Sequence, residues 1–159
     1  GSIFRITVPA GERPVEEQRT EERQAGVAGR RVLVIDDEPA VAQATSLLLT
    51  VEGFDVDVAS SEREAIAAAA ARCPDIVVSD YHLRGGETGV AVVAAVRRAI
   101  RKEVPVVLVT GDTARATADH GLKDAELLTK PLRGDALLKA IQRQLPQIPP
   151  NATRNQPNG

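Results

Sequence analysis

Hydrophobic and polar positions change period in a regular way between residues 30 and 145. Val32-Leu33-Val34-Ile35 is an unbroken apolar run, as expected of a short strand covered on both faces. Val41, Ala44, Leu48 and Val51 then recur at helical spacing. Pro39 suits the first position of that helix and Gly53 its C-terminal stop. Phe54, Val56 and Val58 alternate as a strand, and Ser61 with Glu64 reads as a capping box opening an Ala-rich helix that runs to Arg72. Ile76-Val77-Val78 is a second buried strand, ending at Asp80. Val92, Val93, Val96 and Ile100 share one helix face. Val106-Val107-Leu108-Val109 is the next strand, with Pro105 tolerable only near its start. Leu127 and Leu128 mark a short strand before Lys130-Pro131, and Leu137, Leu138, Ile141 and Leu145 outline a last amphipathic helix.

Five strands alternating with helices call for an α/β fold. The sheet should be parallel, with helices on both faces and right-handed crossovers. Ligands in such sheets bind beyond the carboxyl ends of the strands, where strand order reverses. The weakest stretch is 113–124, whose apolar residues are mostly Ala114, Ala116 and Ala118 at spacing two. The fourth helix is therefore expected to be short, irregular or mobile.

Outside 30–145 the pattern breaks down. Ile3-Phe4-Arg5-Ile6-Thr7-Val8 alternates as one strand ended by Pro9, and residues 12–23 then hold five Glu and three Arg with almost nothing apolar. Such a segment buries too little surface to offset its ordering entropy and reads as a linker, with a short charged helix extending from a preceding domain as the alternative. Residues 146–159, with Pro149, Pro150, Pro157 and three Asn, read as a disordered tail rather than a DNA-binding helix-turn-helix.

Composition sharpens this picture. The chain of 159 residues suits one domain plus tails. Ala and Val supply 24 and 19 of the hydrophobic residues, and the only aromatics are Phe4, Phe54 and Tyr81, so the core must be built from small aliphatics. A net charge of −2 argues against a basic nucleic-acid-binding face. A single cysteine, Cys73, excludes an internal disulfide framework, and is read as a small packing residue. No apolar run approaches the ~20 residues needed to cross a bilayer, so a cytoplasmic location without membrane contact is expected.

The chemistry gathers at the predicted strand ends. The first strand ends in Asp36-Asp37-Glu38, the third in Asp80, the fourth in Thr110-Gly111 and the fifth in Thr129-Lys130-Pro131. Two carboxylates ~4 Å apart repel by roughly 4 kcal/mol at an effective dielectric of 20. Three of them invite a hard divalent cation with oxygen ligands, Mg²⁺ above all. A carboxylate can also act as a nucleophile toward phosphorus, giving an aspartyl-phosphate whose oxygens Mg²⁺, Lys130 and Thr110 would cover.

Asp36-Asp37, Asp80 after Ile76-Val77-Val78-Ser79, Thr110-Gly111 and Lys130-Pro131, in that order across residues 31–145, resemble the receiver domain of two-component response regulators. The resemblance implies a flavodoxin-like sheet of strand order 2-1-3-4-5 and a phosphorelay role. Asp80 would be the phosphoacceptor. Asp36, Asp37, Asp80 and the backbone carbonyl of His82 would hold Mg²⁺. Thr110 would be the switch hydroxyl and Lys130 the phosphate-binding lysine, followed by a cis peptide bond to Pro131. His82 and Asp112 stand where the family tunes dephosphorylation. The partner would be a histidine kinase or a histidine phosphotransfer protein, with the chain itself a monomer or weak dimer. The sequence departs from the family pattern in four places. Leu83-Arg84 stands where Met-Pro is usual, the loop glycine comes one position late at Gly89, Leu127 replaces the aromatic switch residue, and the stretch from Thr110 to Lys130 is slightly short. Without a ring at 127, the aromatic form of the switch is not expected.

Residues 1–9 resemble the closing strand of a histidine-kinase ATP-binding domain. Residues 1–29 would then be the end of a kinase domain plus a linker, and the chain the receiver end of a hybrid sensor histidine kinase. Such a receiver catalyses its own phosphorylation and dephosphorylation without being a turnover enzyme. Three alternatives stay open: a stand-alone single-domain regulator, a pseudo-receiver scaffold, and a small phosphohydrolase that forms an aspartyl-phosphate. The last would place its nucleophile on the first strand, so Asp36→Asn and Asp80→Asn separate it from a receiver.

Overall fold

The structure is a computed structural model that describes residues 26–118, 122 and 124–145. The expected strand at residues 3–8, the charged linker at 12–23 and the tail at 146–159 lie outside the described residues. Five strands form one sheet: β1 Arg31–Ile35, β2 Asp55–Ala59, β3 Ile76–Asp80, β4 Val106–Thr110 and β5 Ala125–Thr129. All pairings are parallel, in the order β2-β1-β3-β4-β5. The helices between and after them are α1 Pro39–Val51, α2 Glu62–Ala71, α3 Gly89–Ile100, α4 Thr113–Ala118 and α5 Gly134–Gln144. A 3₁₀ turn, Arg84–Gly86, lies between β3 and α3. The expected strand order is observed, and α4 is short, at six residues.

The strands sort their side chains with period two, as both-face coverage requires. Val32 and Val34 of β1 point into a cluster with Leu49 of α1 and Leu137 and Ile141 of α5. Leu33 and Ile35 point into the opposite cluster, with Ala65 and Ala69 of α2 and Val92, Val93 and Val96 of α3. Each fully buried Val, Leu or Ile contributes about 1.5–3 kcal/mol, so a core nearly free of aromatics suffices. Val27, on the linker side of the boundary expected at residue 30, packs into the α1/α5 cluster.

Local signals explain the helix ends, with one revision. Pro39 opens α1 and Gly53, at φ +99°, follows its end. The Ser61 hydroxyl accepts the Glu64 N–H as a capping box requires, but the Glu64 carboxylate returns to the N–H and hydroxyl of Ser60, at 2.8 Å each, one residue earlier than the motif predicts. Tyr81 is buried, at 4% exposed, with its ring edge-on to His82. One other expectation differs. Cys73, expected to pack, is exposed. Among the described residues no helix is long and apolar enough to cross a membrane.

Candidate phosphoryl-acceptor site

Parallel strands deliver their last residues to one edge of the sheet. In register, Ile35 of β1 faces Ser79 of β3, Asp80 faces Val109 of β4, and Thr110 faces Thr129 of β5. The acidic pair after β1, the last residue of β3 and the residue after β5 therefore meet. One carboxylate oxygen from each of Asp36, Asp37 and Asp80 lies within 4.8 Å of the others. Nζ of Lys130 pairs with Oδ2 of Asp80 at 3.0 Å. The Lys130–Pro131 peptide bond is cis, and the Lys130 N–H donates to the carbonyl of Thr110 at 2.8 Å.

Burial and crowding set the electrostatics. Burial pushes the Asp36 carboxyl above its ordinary pKa against the hydrogen bond from the Glu38 N–H, and the charges of Asp80 and Asp37 push the same way while Lys130 opposes them. Desolvation pulls the Lys130 ammonium down. The hydrogen bond and charge of Asp80, with Asp36 and Glu38, outweigh it and hold Lys130 above its ordinary value. Three hard oxygen donors facing too little positive charge fit a small divalent cation, with Asp36, Asp37 and Asp80 as its protein ligands. Asp36, Asp80 and Lys130 also form the polar side of a pocket of about 480 Å³ between α1 and the β5–α5 connection, whose other walls include Val41, Leu48 and Pro131.

The remaining candidates are placed less directly. Thr110 is fully buried, and its hydroxyl is taken by the backbone of Asp112, donating to the carbonyl and accepting the N–H at 3.1 Å each. Asp112 caps α4, its Oδ1 accepting the N–H groups of Ala114 and Arg115 at 3.1 and 3.3 Å. His82 is exposed, and its N–H reaches Oδ1 of Asp80 at 3.4 Å. Leu127 is half-buried against the α2/α3 cluster, where Leu108 is its neighbour in register.

Two residues matter here that the sequence marked only as departures. Gly89 approaches β3 so closely that a Cβ on it would lie 2.2 Å from the carbonyl oxygen of Asp80, and its N–H donates to the carbonyl of Tyr81 at 2.8 Å. The signal was the glycine itself, directly after the Thr88 helix cap. Arg84 places Nε 3.0 Å from Oδ2 of Asp37. Its signal was a basic residue in a glycine-rich loop just after the acidic strand end.

The sequence pattern of the response regulator receiver domain matches residues 32–142. The chain belongs to that family. It is the receiver domain of a two-component phosphorelay. The transcriptional regulatory protein TcrA of Mycobacterium tuberculosis strain H37Rv is 37% identical over 125 residues, covering 76% of this chain and 49% of TcrA. The acid tolerance regulatory protein ActR of Rhizobium meliloti is 32% identical over 144 residues, covering 87% of this chain and 73% of ActR. The chemotaxis protein CheY4 of Vibrio cholerae superposes with a TM-score of 0.66 at 30% identity, covering 74% of this chain and all (100%) of that one. This chain thus spans about half the length of TcrA. TcrA is named as a transcriptional regulator, so this relative lends no support to the expectation that no nucleic acid is involved.

Proposed function

We propose that Asp80 accepts a phosphoryl group from a phosphohistidine. A carboxylate oxygen of Asp80 bonds to phosphorus as the phosphorus–nitrogen bond breaks, and the imidazole leaves as the neutral ring after gaining a proton on its other nitrogen. The observation that carries this reading is the buried Asp80 carboxylate at the end of the central strand, with Lys130 on one side beyond β4 and the Asp36-Asp37 pair at the end of the adjacent β1 on the other.

Lys130 then neutralises a phosphoryl oxygen from a preset position. Thr110 must release the Asp112 backbone before its hydroxyl can turn to the phosphoryl group. Asp36, Asp37 and Asp80, with the His82 carbonyl, would hold Mg²⁺, which would supply charge neutralisation between carboxylates and phosphoryl oxygens. The side chain of His82 flanks the approach of a hydrolytic water. Asp112, spent on capping α4, acts there mainly through Thr110. Asp80 is favoured over a first-strand nucleophile because the Lys130 ammonium pairs with its carboxylate at 3.0 Å.

The natural donor on this reading is a histidine kinase or a histidine phosphotransfer protein, in the cytoplasm. Residues 1–9 favour a hybrid histidine kinase as parent. TcrA and ActR, both named as regulatory proteins, favour a response regulator. Incubating the chain with a radiolabelled phosphohistidine protein and Mg²⁺ tests the function: label should pass to wild type and not to Asp80→Asn. Label on Asp80→Asn would refute it. ATP-dependent autophosphorylation of the parent protein on histidine separates the two parents.

A further inference from the structure

We propose that Arg84 is a displaceable counter-cation that competes with the divalent cation for Asp37. This rests on the reading of Asp36, Asp37 and Asp80 as the cation site.

The β3–α3 loop is built to aim Arg84 at that site. Leu83, just before it, is 8% exposed and anchored in the α2/α3 cluster. The Leu83 N–H donates to the carbonyl of Glu87 at 3.0 Å, and His82 pairs with Thr88 in an antiparallel bridge. Gly85 and Gly86 both take φ +80°, a left-handed conformation that lets the chain double back directly after Arg84. The result is a tight hairpin with Arg84 at its tip, its Nε 3.0 Å from Oδ2 of Asp37.

The two basic side chains at the site differ in how they are held. Lys130 pairs with Asp80 from the end of β5. Arg84 is 81% exposed while the Asp37 side chain is 17% exposed, so the guanidinium caps the carboxylate from the solvent side. An ion pair with one partner so exposed is weak and breaks readily. It is also placed where a cation ligated by Asp37 would repel it. Before cation binding, Arg84 offsets part of the repulsion among the three carboxylates. On binding, it must swing out to solvent. The apparent cation affinity is lowered by the strength of that pair.

The experiment is a Mg²⁺ titration of the whole chain at fixed ionic strength, following the Arg84 Nε–H by NMR. Three results are expected. The Nε–H resonance moves with Mg²⁺ saturation toward its position in Asp37→Asn. Arg84→Ala binds Mg²⁺ about two- to fivefold more tightly than wild type, the range an exposed ion pair supplies. Arg98→Ala, in the last turn of α3 at the opposite end of the strands, leaves the affinity unchanged. An Nε–H that keeps its metal-free position at saturation, or wild-type or weaker affinity in Arg84→Ala, overturns the proposal alone. Equal tightening in Arg98→Ala reduces the effect to net charge and overturns it too. Absence of Mg²⁺ binding in both wild type and Arg84→Ala overturns the cation-site reading and this proposal with it.

Discussion

The ammonium of Lys130 and the carboxylate of Asp80 stand 3.0 Å apart although they are 50 positions apart in the chain. The parallel sheet brings them together, because only β4 separates the end of β3 from the end of β5. A double-mutant cycle with Lys130→Ala and Asp80→Asn should give a coupling of about 0.5–1 kcal/mol in urea unfolding, modest because Lys130 remains partly exposed. Lys130→Ala should also slow phosphorylation about tenfold or more. Zero coupling would mean that the pair does not form in solution.

Asp36 is held above its ordinary pKa of 3.8 in the folded protein. Between the ordinary and the folded value the native state therefore binds more protons than the unfolded chain, and stability falls as pH rises through that window. Asp36→Asn keeps an oxygen to accept the Glu38 N–H and removes the charge. Without divalent cation at neutral pH it should raise the thermal midpoint by about 2–5 °C by calorimetry. It should also weaken the stabilisation that Mg²⁺ gives to wild type. A lower midpoint would show that the Asp36 charge stabilises the fold.

Gly89 cannot carry a side chain without moving the end of β3. A Cβ there would also lie 2.7 Å from Oγ of Ser79, besides striking the Asp80 carbonyl. Gly89→Ala should cost about 2–4 kcal/mol in denaturant unfolding and depress phosphoryl acceptance with it. Gly86→Ala, in open space but at φ +80°, should cost only about 1 kcal/mol. Equal costs would remove the close approach at residue 89 as the cause.

Asp112 and His82 should separate in their effects. Asp112→Ala removes the cap on α4 and should cost about 1 kcal/mol, with faster amide exchange at Ala114 and Arg115. His82→Ala leaves the backbone intact, so it should still accept phosphoryl groups while the decay constant of the phosphorylated form changes several-fold. An unchanged decay constant would leave His82 as an exposed loop residue only.

The strands and the residues at their ends were legible because both depend on local pattern. An apolar run bounded by turn residues marks a strand, and a parallel sheet then forces all carboxyl ends to one edge. Asp36, Asp37, Asp80 and Lys130 could thus be grouped before any contact was known. Gly89, Arg84 and the turn of the Thr110 hydroxyl toward Asp112 were not legible. Gly89 and Arg84 depend on how the β3–α3 loop doubles back, which is set by backbone geometry at Gly85 and Gly86 and by the anchoring of Leu83. The Thr110 bond depends on the backbone turn that follows β4. The shift of the Glu64 return bond to Ser60, and the packing of Val27 into the core, likewise depend on meetings across the fold.

Intact mass spectrometry after treatment with phosphoramidate and Mg²⁺ tests the central claim most directly. Wild type should gain one phosphoryl group, lose it in mild base, and gain none in EDTA. Asp80→Asn and Asp80→Ala should gain none while remaining folded. A phosphoryl group on Asp80→Ala, or undiminished labelling of wild type in EDTA, would contradict the assignment of Asp80 as the acceptor within a cation-binding site.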